Sequence, residues 1–234
     1  MIQHYQLKND TIITLLYEKR YAKDITDSDI AIASNCASNE IKLVLFKTLE
    51  PTIALGKQQL SSYVDEDRIK EDGIQVMNKA TSGTVVYLDG TEFTMTVAVG
   101  SDVIDADVVT TTTVQKVIVG VLNQVLHTLG VNSEIVTTNS THEYKPAGCF
   151  NALTKNEIEV NGKKLAGCAF TRYKNVILGH MMIHTNKSYE VLNKYINDDS
   201  NVGPIALSEC HSGMITPADI ANGVYAVLYG MINE

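Results

Sequence analysis

Glu157-Ile-Glu-Val-Asn161-Gly162-Lys163-Lys164-Leu-Ala-Gly167-Cys-Ala169-Phe-Thr-Arg172-Tyr-Lys-Asn-Val176-Ile-Leu-Gly-His180-Met-Met-Ile-His184 reads as three strands in succession. Asn161-Gly162 is the dipeptide of a tight hairpin, because both of its residues tolerate positive φ. The pattern predicts an antiparallel meander over Glu157–Val160, Lys164–Phe170 and Val176–His184. Just upstream, Cys149 stands fifteen residues before Lys164. A thiol in a loop and a lysine at the start of a hairpin strand can meet in one pocket. An ammonium beside a thiol favours the thiolate, and a thiolate can carry an acyl group as a thioester.

Working outward, Thr11–Tyr17, Leu43–Phe46, Thr52–Leu55, Ile74–Met77, Val85–Leu88 and Phe93–Val99 read as further strands, with a turn at Glu50-Pro51 joining the second and third. Thr26 is read as a helix N-cap, with Asp27 and Asp29 in the first turn and Ile30, Ala33, Ala37 and Ile41 along one face. Asp65–Lys70 is a short charged helix. Between Asp107 and Gly130, the residues Val114, Val117, Ile118, Val121, Leu122, Val125, Leu126 and Leu129 repeat at helical spacing, and Gly130 suits the position after the helix end. Helices are also expected near Tyr189–Ile196 and Pro217–Ile232. Strands joined mostly by hairpins, with helices between, predict an α+β fold: a mixed, largely antiparallel sheet flanked by helices, in a single domain over residues 1–234.

The chain has 234 residues, 44% hydrophobic and 20% charged, long enough for a sizeable core. A net charge of −8 and a pI near 5.2 argue against nucleic acid or an anionic membrane as partner. An acidic protein partner would need a local basic patch, for which Lys145, Lys155, Lys163, Arg172 and Lys174 are the candidates. No run has the length of a membrane span, and the start has no signal-peptide pattern. Cys36, Cys149, Cys168 and Cys210 show no Cys-x-x-Cys pair, so neither a disulfide framework nor a zinc site is expected, and the cytoplasm is the expected location. Asn139-Ser-Thr is read as a chance match to a glycosylation acceptor.

Four stretches resemble the catalytic domain shared by lipoate–protein ligases, octanoyltransferases and biotin ligases. They are Pro51-Thr-Ile-Ala-Leu-Gly56-Lys-Gln-Gln59, Asn78-Lys79-Ala-Thr81-Ser82-Gly83-Thr84-Val85-Val-Tyr-Leu88-Asp89, Asn161-Gly162-Lys163-Lys164-Leu-Ala-Gly167-Cys-Ala169-Phe-Thr-Arg172, and Ile177-Leu-Gly-His180-Met-Met-Ile. The third is similar to the family's Gly-x-Lys-Ile/Leu-x-Gly-x-Ala-x-x-Arg. Cys149-Phe150, with Thr154, Glu157 and Ile158 following, resembles the cysteine-dependent octanoyltransferases of that family. The chain departs from the pattern where Asn78 and Lys79 stand for two arginines, Ser82 for a glycine and Leu88 for a histidine.

The resemblance implies a biotin/lipoate ligase-like fold and an acyltransferase. Cys149 is then the nucleophile and Lys164 donates to the acyl carbonyl. Thr81, Ser82, Gly83, Thr84 and Val85 offer main chain to the acyl head, Gly167 and Ala169 leave room for an aliphatic chain, and His180 orients polar groups. No metal or cofactor is implied. The donor is an acyl carrier protein, and the acceptor a lysine of a lipoyl domain or a glycine-cleavage H-type protein. Two alternatives stand beside this: an ATP- and magnesium-dependent ligase using Lys164, and a non-catalytic homologue that keeps the groove. Cys210, next to His211, is a second candidate nucleophile; Cys168 and Cys36 are read as packing residues.

Overall fold

A computed structural model describes residues 6–57, 63–106, 108–138, 148–196 and 204–233. Gln59, Asp107, the Asn139 acceptor match, Lys145 and the Pro146-Ala147 pair lie outside them. The larger of two sheets has seven strands. In chain order they are β1 (Ile12–Arg20), β2 (Glu40–Thr48), β6 (Phe93–Gly100), β7 (Glu134–Ile135), β8 (Ile158–Val160), β9 (Lys163–Tyr173) and β10 (Val176–Ile183). Their spatial order is β1-β2-β6-β10-β9-β8-β7. β1 and β2 are parallel and the other pairs antiparallel, which is the mixed, largely antiparallel arrangement expected. The smaller sheet contains β3 (Thr52–Leu55), β4 (Gln75–Asn78) and β5 (Val86–Leu88) in the order β4-β3-β5.

The meander forms as read. Asn161 and Gly162 take φ of 53° and 74°, so both turn residues are left-handed, as a two-residue hairpin between twisted strands requires. Helix α3 (Thr111–Thr128) opens on Thr110, whose hydroxyl accepts from the Thr113 N–H at 3.1 Å, and gives way to Gly130 at φ 84°. Its apolar face, including Val114, Ile118, Leu122 and Leu126, is buried on the large sheet together with Ile220, Val224 and Leu228 of α6 (Pro217–Asn233). Each such side chain contributes roughly 1.5–3 kcal/mol of hydrophobic stabilisation. Helix α2 (Glu66–Glu71) is capped by Asp65, while α4 (Tyr189–Leu192) is one turn long.

One expectation is corrected, and two features went unforeseen. Helix α1 spans Ala22–Ser34 and is preceded by Tyr21, so Thr26 is inside the helix and Asp27 and Asp29 are past its first turn. The buried face is Ala22, Ile25, Asp29 and Ala33, while Ile41 belongs to β2 and Cys36 lies beyond the helix end. The reason is topological: a parallel β1–β2 pair needs a crossover, and α1 provides it. Second, β2 and β3 are joined by a turn as read, but the two strands belong to different sheets. Third, a short helix α5 (Leu207–Cys210) had no sequence signal, being a single turn.

Candidate active site

Residues Cys149–Asn151 form one 3-10 turn between the two sheets. Gly148 bridges Val85, and the Cys149 N–H donates to the Val85 carbonyl at 2.8 Å, stitching the turn to the start of β5. Phe150 is buried among Ile25, Phe46, Met77, Leu88 and Met182, with Cys149 half-buried beside it. The thiol is therefore seated on a packed turn and not in an exposed loop, which is a correction to the sequence reading.

Lys164 meets it from β9. Its Nζ donates to the Cys149 carbonyl at 2.7 Å, approaches Cys149 Sγ at 3.8 Å, and forms an ion pair with Glu157. The Phe150 ring centroid is 5.2 Å from the same nitrogen. Lys164 is 1% exposed and Glu157 4%, whereas the neighbouring Lys163 faces solvent. Burial alone would lower the Lys164 pKa, but electrostatic coupling to Cys149 and Glu157 and the hydrogen bond to Glu157 outweigh it and hold the ammonium above the ordinary lysine range. Glu157 is itself fixed by the Thr154 N–H at 2.8 Å.

A bulge sets the direction of these side chains. Glu159 pairs with Lys164 and Ile158 with Ala166, so Leu165 is the extra residue on β9. One inserted residue shifts the alternation by one, which brings Lys164 and Gly167 to the same face although they are three apart. A side chain at Gly167 would stand 3.3 Å from both Lys164 Cε and Phe150 Cζ. Glycine here lets the lysine and the ring pack together, more than it leaves room for an acyl chain.

A cavity of about 490 Å³, its open mouth included, extends from Cys149 between the sheets. Phe46, Met77, Leu88 and Met182 make it largely apolar; Gly167, Ala169 and His180 also line it. Leu88, in the place of a histidine in the family pattern, is part of this apolar wall. Cys168 lines the cavity too, and burial pushes its thiol well above the ordinary range. Cys210 does not share the site: on α5 its Sγ points back at the Ala206 carbonyl, 3.5 Å away, and burial raises its pKa.

The loop after β4 has a mixed outcome. Thr81 is fully buried, Ser82 and Gly83 are exposed, and Val85 turns its side chain into a separate cluster with Ile53 and Leu55, meeting Cys149 only through its main-chain carbonyl. Gly83 adopts φ 99° and touches Gly56: a side chain at Gly56 would stand 1.8 Å from the Gly83 carbonyl oxygen.

Two residues were missed as site members. Lys79 is 9% exposed, lines the cavity, and donates to the Thr84 carbonyl at 3.0 Å. Burial pulls its pKa below the ordinary range, opposed by Cys149 and reinforced by Lys164. Asp29 lies behind His180, accepting from its Nε2 at 2.7 Å. A charged residue at an otherwise apolar position of the α1 face was the available signal. Among the described residues no cluster of His, Cys, Asp or Glu is arranged to hold a metal. None of the described helices is long and apolar enough to cross a membrane.

Comparisons with known proteins bear on the family and the fold. The chain is 31% identical over 166 residues to octanoyltransferase LipM of Lysinibacillus sphaericus, covering 68% of this chain and 59% of the relative. It thus spans less than two-thirds of the length of that curated relative. The fold is similar to lipoate-protein ligase A bound with ATP (TM-score 0.77, 16% identity, covering 95% of this chain and 86% of the other). It is also similar to a bipartite lipoate protein ligase of Thermoplasma acidophilum studied with its E2 lipoyl domain (TM-score 0.71, 14% identity, covering 95% and 84%). Residues 27–214 match the lipoyl protein ligase A/B catalytic domain, and the chain belongs to that family.

Proposed function

We propose that this chain, as one catalytic domain over residues 1–234, moves an octanoyl or related acyl group from a carrier-protein thioester to a lysine amine through an acyl-enzyme on Cys149. The observation that carries the reading is the Lys164 ammonium 3.8 Å from Cys149 Sγ at an apolar cavity. Sγ forms a bond to the acyl carbon as the donor's C–S bond breaks, and the donor leaves as a free thiol after taking a proton. The acceptor amine then forms the C–N bond, Sγ departs, and the proton lost by nitrogen restores the thiol. Two of the Lys164 protons are committed to Glu157 and the Cys149 carbonyl. The third, directed at Sγ, is the one able to turn toward the oxyanion that develops beside it.

The acceptor is read as a lipoyl domain or an H-type protein, supported by the family and by the lipoyl domain studied with the Thermoplasma ligase. An acyl carrier protein is the proposed donor. Thioester exchange followed by amide formation runs downhill, so the reaction needs no ATP, magnesium or other cofactor. The four cysteines are free thiols, which suits the cytoplasm. Intact-mass measurement after mixing with octanoyl carrier protein, with and without ATP, is the test. An octanoyl adduct without ATP supports the reading. Modification that requires free octanoate and ATP makes the chain a ligase, and neither activity makes it a non-catalytic homologue.

A further inference from the structure

Behind the thiol cavity lies a second buried polar centre that the acyl transfer described above does not use. Asp29 is 0% exposed. Its Oδ1 accepts from Arg20 Nη1 at 2.9 Å and from Thr96 Oγ1 at 2.8 Å, and its Oδ2 accepts from His180 Nε2 at 2.7 Å. The other ring nitrogen of His180, Nδ1, hydrogen-bonds with the Thr81 hydroxyl at 3.0 Å. Burial alone would raise the Asp29 pKa, but His180, Arg20 and Thr96 together bring it below the usual carboxylate value. The aspartate thus holds the imidazole ring, and the ring holds the hydroxyl.

Thr81 opens the loop that resembles the family's acyl-head segment. Its carbonyl accepts from the Lys57 N–H at 3.1 Å, and the Thr84 carbonyl accepts from Lys79 Nζ at 3.0 Å. The Gly83 carbonyl is pressed against Gly56. The loop carbonyls are therefore turned into the protein. Among the described residues, the N–H groups of Ser82, Gly83 and Thr84 have no protein acceptor. An aspartate, a histidine and a hydroxyl in this order also match the arrangement that activates an oxygen nucleophile. Here the hydroxyl is fully buried, while the Cys149 thiol opens on the cavity.

We propose that Asp29 and His180 are positioning residues: acting through the Thr81 hydroxyl, they hold the Ser82–Thr84 main chain ready to receive the acyl carbonyl. The role rests on the acyl-transfer reading above. Ordering three loop residues on each turnover would cost backbone conformational entropy. A loop already held avoids that cost and keeps its donors where charge develops.

Thr81→Val keeps the shape and removes the hydroxyl, while Thr81→Ser keeps it. Three measurements are needed on the intact chain: acylation of Cys149 by octanoyl carrier protein, alkylation of Cys149 by iodoacetamide, and hydrogen exchange of the amides of residues 81–85. Thr81→Val is expected to slow acylation at least about tenfold, with alkylation within about twofold of the parent and faster loop exchange. Thr81→Ser should restore both acylation and exchange. Acylation of Thr81→Val at the parent rate, or alkylation falling in step with acylation, overturns the proposal. If the parent itself takes no acyl group, the acyl-transfer reading fails separately, and exchange alone decides the loop: faster exchange in the valine variant only supports the hold, and unchanged exchange removes it.

Discussion

The protein buries two charge centres that differ in what they leave open. At the first, the Lys164 ammonium is matched by Glu157 and still directs one N–H toward a reactive sulfur. At the second, Asp29 is surrounded by Arg20, Thr96 and His180, and each contact closes on the protein. Burying an ion costs several kcal/mol, so both centres need good geometry to exist at all. What separates them is the unspent hydrogen bond. The first centre faces the cavity, and the second lies behind His180 in its wall. Replacing the Cys149 sulfur should therefore remove activity with the fold intact, whereas removing Lys164 strands the buried Glu157 and removing the Asp29 charge strands Arg20, so both cost stability as well.

The largest effect is expected at the sulfur. Cys149→Ser should lower acyl transfer by roughly a thousandfold or more, since the covalent route is lost. Because Cys149 is half-buried on the turn that seats Phe150, the near-isosteric serine should leave the melting temperature almost unchanged. Full transferase activity in this variant would detach the first centre from catalysis and return attention to Cys210. Next comes the lysine. Lys164→Ala should reduce turnover by roughly a hundred- to a thousandfold. Lys163→Ala, on the exposed face of the same strand, should change it by less than about twofold. Equal losses would mean that Lys163 and Lys164 do not face opposite sides of β9.

At the second centre, Asp29→Asn is expected to cost roughly 3–5 kcal/mol of stability, the range for breaking a buried ion pair. Arg20 keeps Glu18 as a partner, 2.8 Å from its Nε, so the loss belongs toward the lower end of that range. Urea denaturation measures it directly. A change below about 1 kcal/mol would show that Asp29 is not a structural charge and would weaken the contrast between the centres.

The two centres were also unequally legible. Cys149 and Lys164 are fifteen residues apart, joined by a turn and a hairpin, so local patterning and a family resemblance brought them together before any coordinates. Asp29 and His180 are 151 residues apart, and nothing local reports that contact. Reading Thr26 as an N-cap made Asp29 a helix-dipole residue; the true helix start at Ala22 puts it on the buried face. The same limit hid the split between β2 and β3, since a turn signal at Glu50-Pro51 says nothing about which sheet the next strand joins. Lys79 was visible as the loop's cation, but its burial against the cavity depends on how three elements pack.

A last contrast is with buried titratable groups that belong to neither ion pair. His184 is 2% exposed, with its ring centroid 4.5 Å from that of Phe150, and burial pulls its pKa from 6.5 to about 4. Between those values the unfolded chain binds a proton that the folded chain refuses, so stability is lost as pH falls from 6.5 toward 4, by roughly 3 kcal/mol in all. Glu92 does the reverse. It is 3% exposed, and although the N–H groups of Asp89 and Gly90 donate to it, burial raises its pKa from 4.5 to about 7. The folded chain keeps that proton longer, so stability is lost as pH rises from 4.5 to 7, by a similar roughly 3 kcal/mol. Over the shared window the slopes oppose each other, and the parent protein should unfold at nearly the same urea concentration at pH 5 and pH 6.5. Each single variant exposes the remaining slope: His184→Gln should be more stable at pH 5 than at pH 6.5, and Glu92→Gln more stable at pH 6.5 than at pH 5. Flat profiles in both variants would show that neither group titrates differently on folding. Opposite slopes would show that, outside the two paired centres, burial itself controls how this protein responds to pH.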